Sequence, residues 1–239
     1  MIAGQADPPW KVLADSVGSD IGSEVWSYPL NFRRLKGKCT WPNGPIAMGY
    51  STRYSEITKL LGENITTMMR PDQTFPEPLA KLCKLGFDYA DGDGIDFEPY
   101  SEFLSEEETT SWFRAWTGNE AADGSSFRVF GQDGTGGYAA IWVTQPDKDL
   151  LGQPIVFLGS EGETGVVASD FDSYLWLLAS GVGPYEAVAY PDLDRIPNEQ
   201  FIAFARENSS LEPMEAKTIL EQARGKYPDF VDQIDSLCR

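Results

Sequence analysis

Four short segments between residues 127 and 168 constrain the fold of this chain more than any other feature. Each is rich in β-branched or aromatic residues, and glycine or a Pro-Asp pair separates it from the next. Such segments are typical of antiparallel strands joined by tight turns. We predict four strands, at Phe127–Phe130, Tyr138–Thr144, Pro154–Leu158 and Thr164–Ala168.

Helical patterns flank these strands on both sides. Ser105 precedes three glutamates, so its hydroxyl and the Glu108 carboxylate can satisfy each other's backbone N–H groups at the start of a helix that runs to about Gly118. Ser169 and Asp172 predict a second start of this kind, followed by a broad apolar stripe and closed by Gly181. Further helices are predicted over residues 54–61, 78–86, 197–208, 213–224 and 228–238, the last three with proline at or near the start.

Together these elements predict an α+β fold, in which a mainly antiparallel sheet of four or more strands packs against helices. Residues 1–53 lack a clear period and are predicted to form an irregular N-terminal extension packed on the core. Residues 54–190 are predicted to form the α+β core, and residues 191–239 a C-terminal helical extension. No linker is long enough to indicate independent domains, so we expect one compact unit.

The stretch from Gly131 to Gly137 contains four glycines and raises the question of a phosphate-binding loop. A phosphate loop works because the helix after it points free N–H groups at the anion, usually with the help of a lysine. Here a strand follows, at Tyr138, and the Gly-Lys-Ser/Thr sequence is absent. We therefore interpret the glycines as part of a hairpin turn between two strands.

The charge of the chain indicates what it can bind. There are 37 acidic and 19 basic side chains, which gives a formal net charge of −18. Because a surface this negative repels phosphate backbones, we expect no nucleic-acid partner and favour a basic protein as the partner. The local exception, residues 33–38, is interpreted as an ordinary solvated basic patch.

The chain contains no histidine. Its absence removes the commonest general base, the usual Ser and Cys catalytic dyads and most zinc sites. Residues Asp88–Glu98 have the acid and glycine density of a calcium loop, but aligning Gly94 with the required glycine places Tyr89 and Tyr100 at two main ligand positions. We favour an acidic turn before a strand, and we predict neither a metal ion nor a cofactor.

The location of the protein is predicted from what the sequence lacks. The longest apolar runs fall far short of a membrane-spanning helix, which needs about 18 residues or more. The N-terminus has neither a basic start nor a hydrophobic stretch of the kind that signals secretion. Cys39, Cys83 and Cys238 lie far apart and leave an odd thiol over, as expected of reduced thiols. We therefore expect a soluble, cytoplasmic protein.

An ordered series of segments between about residues 105 and 190 resembles the SUKH superfamily of immunity-protein-like and cell-wall-assembly-regulator-like proteins. That family pattern consists of a glycine-containing hairpin, a strand pair and a helix entrance of the form VA-x-S/D-F. The segments that carry the resemblance are Trp112–Trp116, Phe130–Gly137, Tyr138–Trp142, Pro154–Glu163, Val166–Ala168 and Asp170–Gly181. The long N-terminal extension and the helices after Pro197 depart from the family pattern.

The resemblance implies an α+β fold and a binding protein rather than an enzyme. Bacterial members typically act as immunity proteins that neutralise polymorphic toxins, often nucleases, whereas some fungal members are regulatory hubs. Our first hypothesis is an immunity protein that binds a basic toxin through an acidic surface, because acids at turn tips steer a cationic partner. The candidate partner-binding residues are Asp133, Glu161, Glu163, Asp170 and Asp172.

Two other hypotheses remain open at this point. A regulatory or scaffold adaptor with the same fold would also bind a protein but would have no toxin as its partner. A carboxylate-based glycan hydrolase requires a deep cleft with two facing acids, at least one of them with a raised pKa.

Overall fold

A computed structural model describes residues 73–239, which form the predicted α+β fold. Five antiparallel strands and seven α-helices lie within that range. The strands are β1 (Glu98–Pro99), β2 (Phe127–Gln132), β3 (Tyr138–Trp142), β4 (Ile155–Leu158) and β5 (Thr164–Ala168). The helices are α1 (Glu77–Leu82), α2 (Glu106–Thr117), α3 (Phe171–Ala179), α4 (Pro184–Ala189), α5 (Glu199–Asn208), α6 (Ala216–Lys226) and α7 (Phe230–Leu237).

The strands form one sheet in sequence order, from β1 to β5. All four predicted strands are confirmed, and each pairs antiparallel with its neighbour in the chain. The fifth strand, β1, was not predicted. It has two residues, and Glu98 lies opposite Gln132 while Pro99 lies opposite Gly131. Proline is tolerated there because β1 is an edge strand with one side unpaired.

Both faces of the sheet are buried, and alternate residues of each strand point to opposite faces. One face packs against α3, and we call this the α3-side core; its sheet residues include Phe130, Ile141 and Phe157. The other face packs against α2 and α7, and we call this the α2-side core; it includes Val129, Val156 and Leu158. Burial on both faces explains why strand β4 consists of four apolar residues without alternation.

Helix α2 begins and ends as predicted. The Ser105 hydroxyl accepts a hydrogen bond from the Glu108 N–H, the Glu108 carboxylate accepts one from the Ser105 N–H, and Gly118 ends the helix with a left-handed φ of 64°. For α3 the predicted start was wrong by one residue, because the side chain of Asp170 rather than Ser169 accepts from the Ser173 N–H. The predicted broad burial of α3 is confirmed, since all of its residues except Asp172 are buried.

The helices at the two ends of the described range differ in part from the prediction. Helix α1 ends at Leu82, four residues before the glycine expected to close it. The three helices predicted after Pro197 are present as α5, α6 and α7. Helix α4 was not predicted, because its six residues are too few to show a helical period. The predicted extension over residues 1–53 and the helix over residues 54–61 lie outside the described residues.

Helix α6 covers the outer edge of the sheet. It packs against β5, the last strand. Its residue Leu220 belongs to the α3-side core, and Ala223 belongs to the α2-side core. A helix over an edge strand protects unpaired N–H and C=O groups from other chains. The C-terminal helices therefore share both hydrophobic cores with the sheet.

The cysteines differ from the prediction of three reduced thiols. Cys83 is a free, half-buried thiol, as expected. Cys238 is disulfide-bonded, so the prediction is wrong for this residue. Within residues 73–239, no helix combines the length and the hydrophobicity needed to cross a bilayer.

Candidate functional site

The glycine-rich stretch forms the turn between β2 and β3, as the hairpin interpretation predicts. The Asp133 N–H donates to the Gly137 carbonyl at 2.9 Å, and Gly136 adopts a φ of 88° that favours glycine. A side chain at position 137 would collide with Phe157, whose ring lies 2.6 Å from the place of a Cβ atom. Glycine is thus required at position 136 for its backbone conformation and at position 137 for close packing against Phe157.

Asp133 stabilises this turn from within. Its side-chain oxygen Oδ1 accepts hydrogen bonds from the Gly137 N–H at 2.7 Å and from the Thr135 N–H at 2.9 Å. The Thr135 hydroxyl donates to the same carboxylate. The residue is 2% exposed, and burial raises its pKa, although the hydrogen bonds oppose that shift. Asp133 therefore uses its hydrogen-bonding capacity inside the chain rather than at the surface.

A second turn, over residues 159–163, lies beside the first. The Gly159 N–H donates to the Glu163 carbonyl at 2.6 Å, and Ser160 donates to the Thr135 hydroxyl at 2.9 Å. Glu161 is exposed and Glu163 is half-buried. The structure thus brings three of the predicted partner-binding acids, Asp133, Glu161 and Glu163, to the same end of the sheet.

The other two predicted acids lie at the far end of β5 and form bonds within the chain. Asp170 is the cap of α3, and Asp172 accepts hydrogen bonds from the N–H and the hydroxyl of Ser210. Five strand residues separate them from Glu163, a distance of about 17 Å. The five predicted acids are therefore not brought together in one patch.

A buried glutamate, which sequence reasoning missed, connects the first turn to α4. The Glu186 carboxylate accepts from the Asp96 N–H at 2.9 Å and from the Gly183 N–H at 3.1 Å. Asp96 in turn accepts from the Gly134 N–H at 2.8 Å. Burial raises the pKa of Glu186. Asp96 and Glu186 lie 90 positions apart in the chain, so no local pattern indicates their contact.

Two loops, residues 88–94 and residues 190–196, are joined by Arg195, and we call them the loop pair. The Arg195 guanidinium donates from Nη1 to the Gly92 carbonyl at 2.7 Å and to the Gly94 carbonyl at 3.3 Å. Ala90 and Asp91 have φ values of 46° and 54°, which are strained for residues with a side chain. Strained loops of this kind concentrate at functional sites.

The first loop of the pair is the acidic turn before a strand that the sequence favoured over a calcium site. Asp88 accepts from the Ala90 N–H at 2.9 Å, and β1 follows at Glu98. Within the range 73–239, no group of three or more acids or cysteines is arranged to hold a metal ion.

The loop pair combines exposed apolar side chains with acids. The exposed fractions are 57% for Tyr89, 51% for Tyr190, 55% for Leu193 and 79% for Ile196. The acids that accompany them in the same two loops are Asp88, Asp91, Asp93, Asp192 and Asp194. Apolar anchors within a polar rim are typical of protein–protein interfaces. The structure thus identifies a candidate interface different from the set of five predicted acids.

The negative charge belongs to the described part of the chain. Residues 73–239 contain 30 acidic and 11 basic side chains, a formal net charge of −19, whereas residues 1–72 contribute +1. Within the described range a salt bridge forms between Lys81 and Glu77, at 2.8 Å, and the other acids form none. Most of the acidic charge is therefore not compensated by cations of the same range.

A groove of about 730 Å³ adjoins the loop pair, between β5, α4 and the junction of α6 with α7. We call it the tyrosine groove. Its lining includes Glu163, Tyr185, Tyr190, Arg224, Tyr227 and Asp235. Within residues 73–239 the acids with clearly raised pKa values, Asp133 and Glu186, do not belong to this lining.

The fold and these surfaces were compared with known proteins. No family model, no curated protein and no solved structure matches the chain. The resemblance to the SUKH superfamily therefore stays a prediction.

Proposed function

We propose that the chain is a non-catalytic protein-binding domain that recognises a basic protein, and that it acts as an immunity protein neutralising a toxin. The observation that carries this proposal is the charge of residues 73–239. This range contains 30 acidic and 11 basic side chains, and one salt bridge forms between an acid and a base of the range. Uncompensated acids accelerate association with a cationic protein and make it dependent on salt. The toxin as partner rests on the resemblance to the SUKH superfamily.

The loop pair is the proposed contact surface. Tyr89, Leu193 and Ile196 supply exposed apolar area that can be desolvated, and the acids around them supply complementary charge. Arg195 holds the two loops together before any partner binds, which reduces the entropy lost on binding. Because the hairpin-tip acid Asp133 is satisfied within the chain, it is not part of the proposed surface.

The arrangement supports a binding protein more than the glycan hydrolase. The hydrolase hypothesis requires two acids facing each other across a cleft, one of them with a raised pKa. In the described range the acids with clearly raised pKa values are Asp133 and Glu186. Both accept backbone hydrogen bonds and lie outside the lining of the tyrosine groove. A regulatory adaptor would use the same binding surface, and a toxin gene next to this one would favour the immunity hypothesis.

Co-expression with the product of the adjacent gene tests the proposal. We expect the two proteins to co-purify, the toxic effect to be suppressed, and the affinity to fall as salt is raised. Ile196→Ala should weaken binding by about tenfold, the size of effect that marks an interface hot spot.

Leu211→Ala is the matched control, because Leu211 is also an exposed apolar residue but lies at the opposite end of α5. Binding that is insensitive to salt and equally affected by both substitutions would contradict the proposed surface. Absence of any complex or protection would contradict the immunity function itself.

A further inference from the structure

Two tyrosines in the tyrosine groove form a corner. The rings of Tyr185 and Tyr190 have centroids 5.8 Å apart and planes at 88° to each other. Tyr185 also packs against Phe157, at 6.0 Å between centroids, which fixes one side of the corner against the core. Tyr190 is about half exposed, so the corner is open to solvent.

The groove that contains this corner is also lined by a carboxylate residue, Glu163. Burial is the main cause that raises the pKa of Tyr185, and the Tyr190 hydroxyl and the negative charge of Glu163 raise it further. Glu163 lines the same groove as the two tyrosines. The backbone of Glu163 is held in the neighbouring turn, where its carbonyl accepts a hydrogen bond from the Gly159 N–H.

The groove lining contains two acids and one basic residue, and the ammonium of Lys226 lies 5.3 Å from the ring centroid of the lining residue Tyr227. The basic residue in the lining of the groove is Arg224. Its Nη2 atom donates to the Ala187 carbonyl at 2.9 Å, so its positive charge is directed at the C-terminal end of α4. The two lining acids, Glu163 and Asp235, form no salt bridge with any residue of the range 73–239. Val188, Pro191 and Val231 add apolar wall to the same groove.

We propose that the tyrosine groove takes one lysine side chain of the basic partner, with its ammonium in the corner of Tyr185 and Tyr190 beside Glu163. Aromatic ring faces attract a cation through their quadrupole, and a carboxylate adds a charged hydrogen-bond acceptor. The apolar wall suits the four-carbon stem of lysine. A perpendicular pair of rings encloses a compact ammonium, whereas a flat guanidinium is best held by stacking on one ring.

This inference rests on the proposed function and refines it, since the groove adjoins the loop pair at Tyr190. In the complex the lysine would be one anchor, and the exposed residues of the loop pair would supply the surrounding contact. The two parts can be tested separately, because a single lysine derivative can enter the groove without touching Tyr89 or Ile196.

The experiment uses N-acetyl-lysine methylamide as the probe, titrated into isotopically labelled full-length protein and followed by NMR. We expect saturable shifts of the backbone signals of Thr164, Gly165 and Tyr190, and weaker binding as salt is raised. Tyr190→Ala should reduce the affinity by about two- to fivefold, as expected for loss of one cation–π wall. Glu163→Gln should reduce it by a similar factor, about the worth of one exposed charge pair.

Two controls make the result decisive. Leu211→Ala removes an exposed apolar side chain that lies in neither the loop pair nor the groove lining, and it should leave probe affinity unchanged. The Nε-acetylated probe, which has no charge, should not bind. Three results would overturn the inference: chemical-shift changes of equal size with the acetylated probe, no chemical-shift changes for the groove residues, or an equal loss of probe affinity in all three variants. None of these results depends on finding a protein partner, so they leave the proposed function to its own test.

Discussion

Ser160 donates a hydrogen bond of 2.9 Å from its hydroxyl to the hydroxyl of Thr135, and this contact joins the tips of two hairpins. The Thr135 hydroxyl in turn donates a hydrogen bond to the Asp133 carboxylate. The turn that exposes Glu161 is thereby fixed to a turn that is stabilised from within by a buried acid.

Asp133→Ala should destabilise the protein by about 2–4 kcal/mol, because the N–H groups of Gly137 and Thr135 lose their buried acceptor. Asp133→Asn keeps an acceptor for these donors and removes the buried charge, so the loss of stability should be smaller than for Asp133→Ala. Urea unfolding of both variants measures the difference. The exposed Glu161→Ala serves as the control and should change the free energy of unfolding by no more than about 0.5 kcal/mol.

The pH dependence of stability should change when Glu186 is replaced. Burial raises the pKa of Glu186 above its ordinary value of 4.5, so the folded state holds this proton more tightly than the unfolded state. At pH values from the unfolded pKa up to the folded pKa, the free energy of unfolding therefore falls as pH rises. Below the unfolded pKa the side chain is protonated in both states and has no such effect.

Glu186→Gln should make the stability less dependent on pH within that window. Urea unfolding from about pH 4 to pH 7, in about 0.5 M NaCl to screen surface repulsion, measures the slope for the wild type and the variant. Equal slopes in the two proteins would show that Glu186 does not bind its proton more tightly in the folded state.

Gly181→Ala should both destabilise the protein and weaken partner binding. Gly181 has a φ of 76°, and a Cβ atom there would lie 2.2 Å from the Ile196 carbonyl. The strain alone should cost about 1–3 kcal/mol. Relief of the clash should displace Ile196 in the loop pair. Gly152→Ala is the matched control, because a Cβ atom at Gly152 meets nothing within 4 Å. Similar melting temperatures for the two variants would contradict this account.

Cys83 should react slowly in the folded protein. Burial raises the pKa of its thiol to about 12, so at about pH 8 roughly one thiol in ten thousand is ionised. The thiolate is the nucleophile in alkylation. Mass spectrometry of the Cys83 peptide should therefore show slow reaction with iodoacetamide under native conditions and rapid reaction in urea. Equal rates in both conditions would contradict the burial of this side chain.

The sheet was predictable because its signals are local. The segments from Phe127 to Ala168 carry β-forming residues and turn glycines in regular order, and each strand pairs with its neighbour in the chain. Strand β1 lacks such a signal, because two residues with one proline define no period. At the start of α3, two acids and a serine within four residues allow more than one cap, and packing selects Asp170.

The candidate site was less predictable because its contacts are distant in the chain. Arg195 reaches the Gly92 carbonyl across 103 positions, and no pattern near either residue indicates that contact. Asp133 was expected at the surface as a turn acid, yet Gly137 and Thr135 provide donors that keep it inside. Tyr190, Leu193 and Ile196 follow no helical or strand period, so sequence alone does not distinguish exposed anchors from core residues.

The order of the sheet also bears on how the chain is made. Because successive strands are neighbours, a growing chain can complete the five-stranded meander as soon as residue 168 has left the ribosome. Helix α6 is synthesised about fifty residues later. Until then the outer side of β5 has no cover, and this interval is when the nascent protein is most open to pairing with another chain.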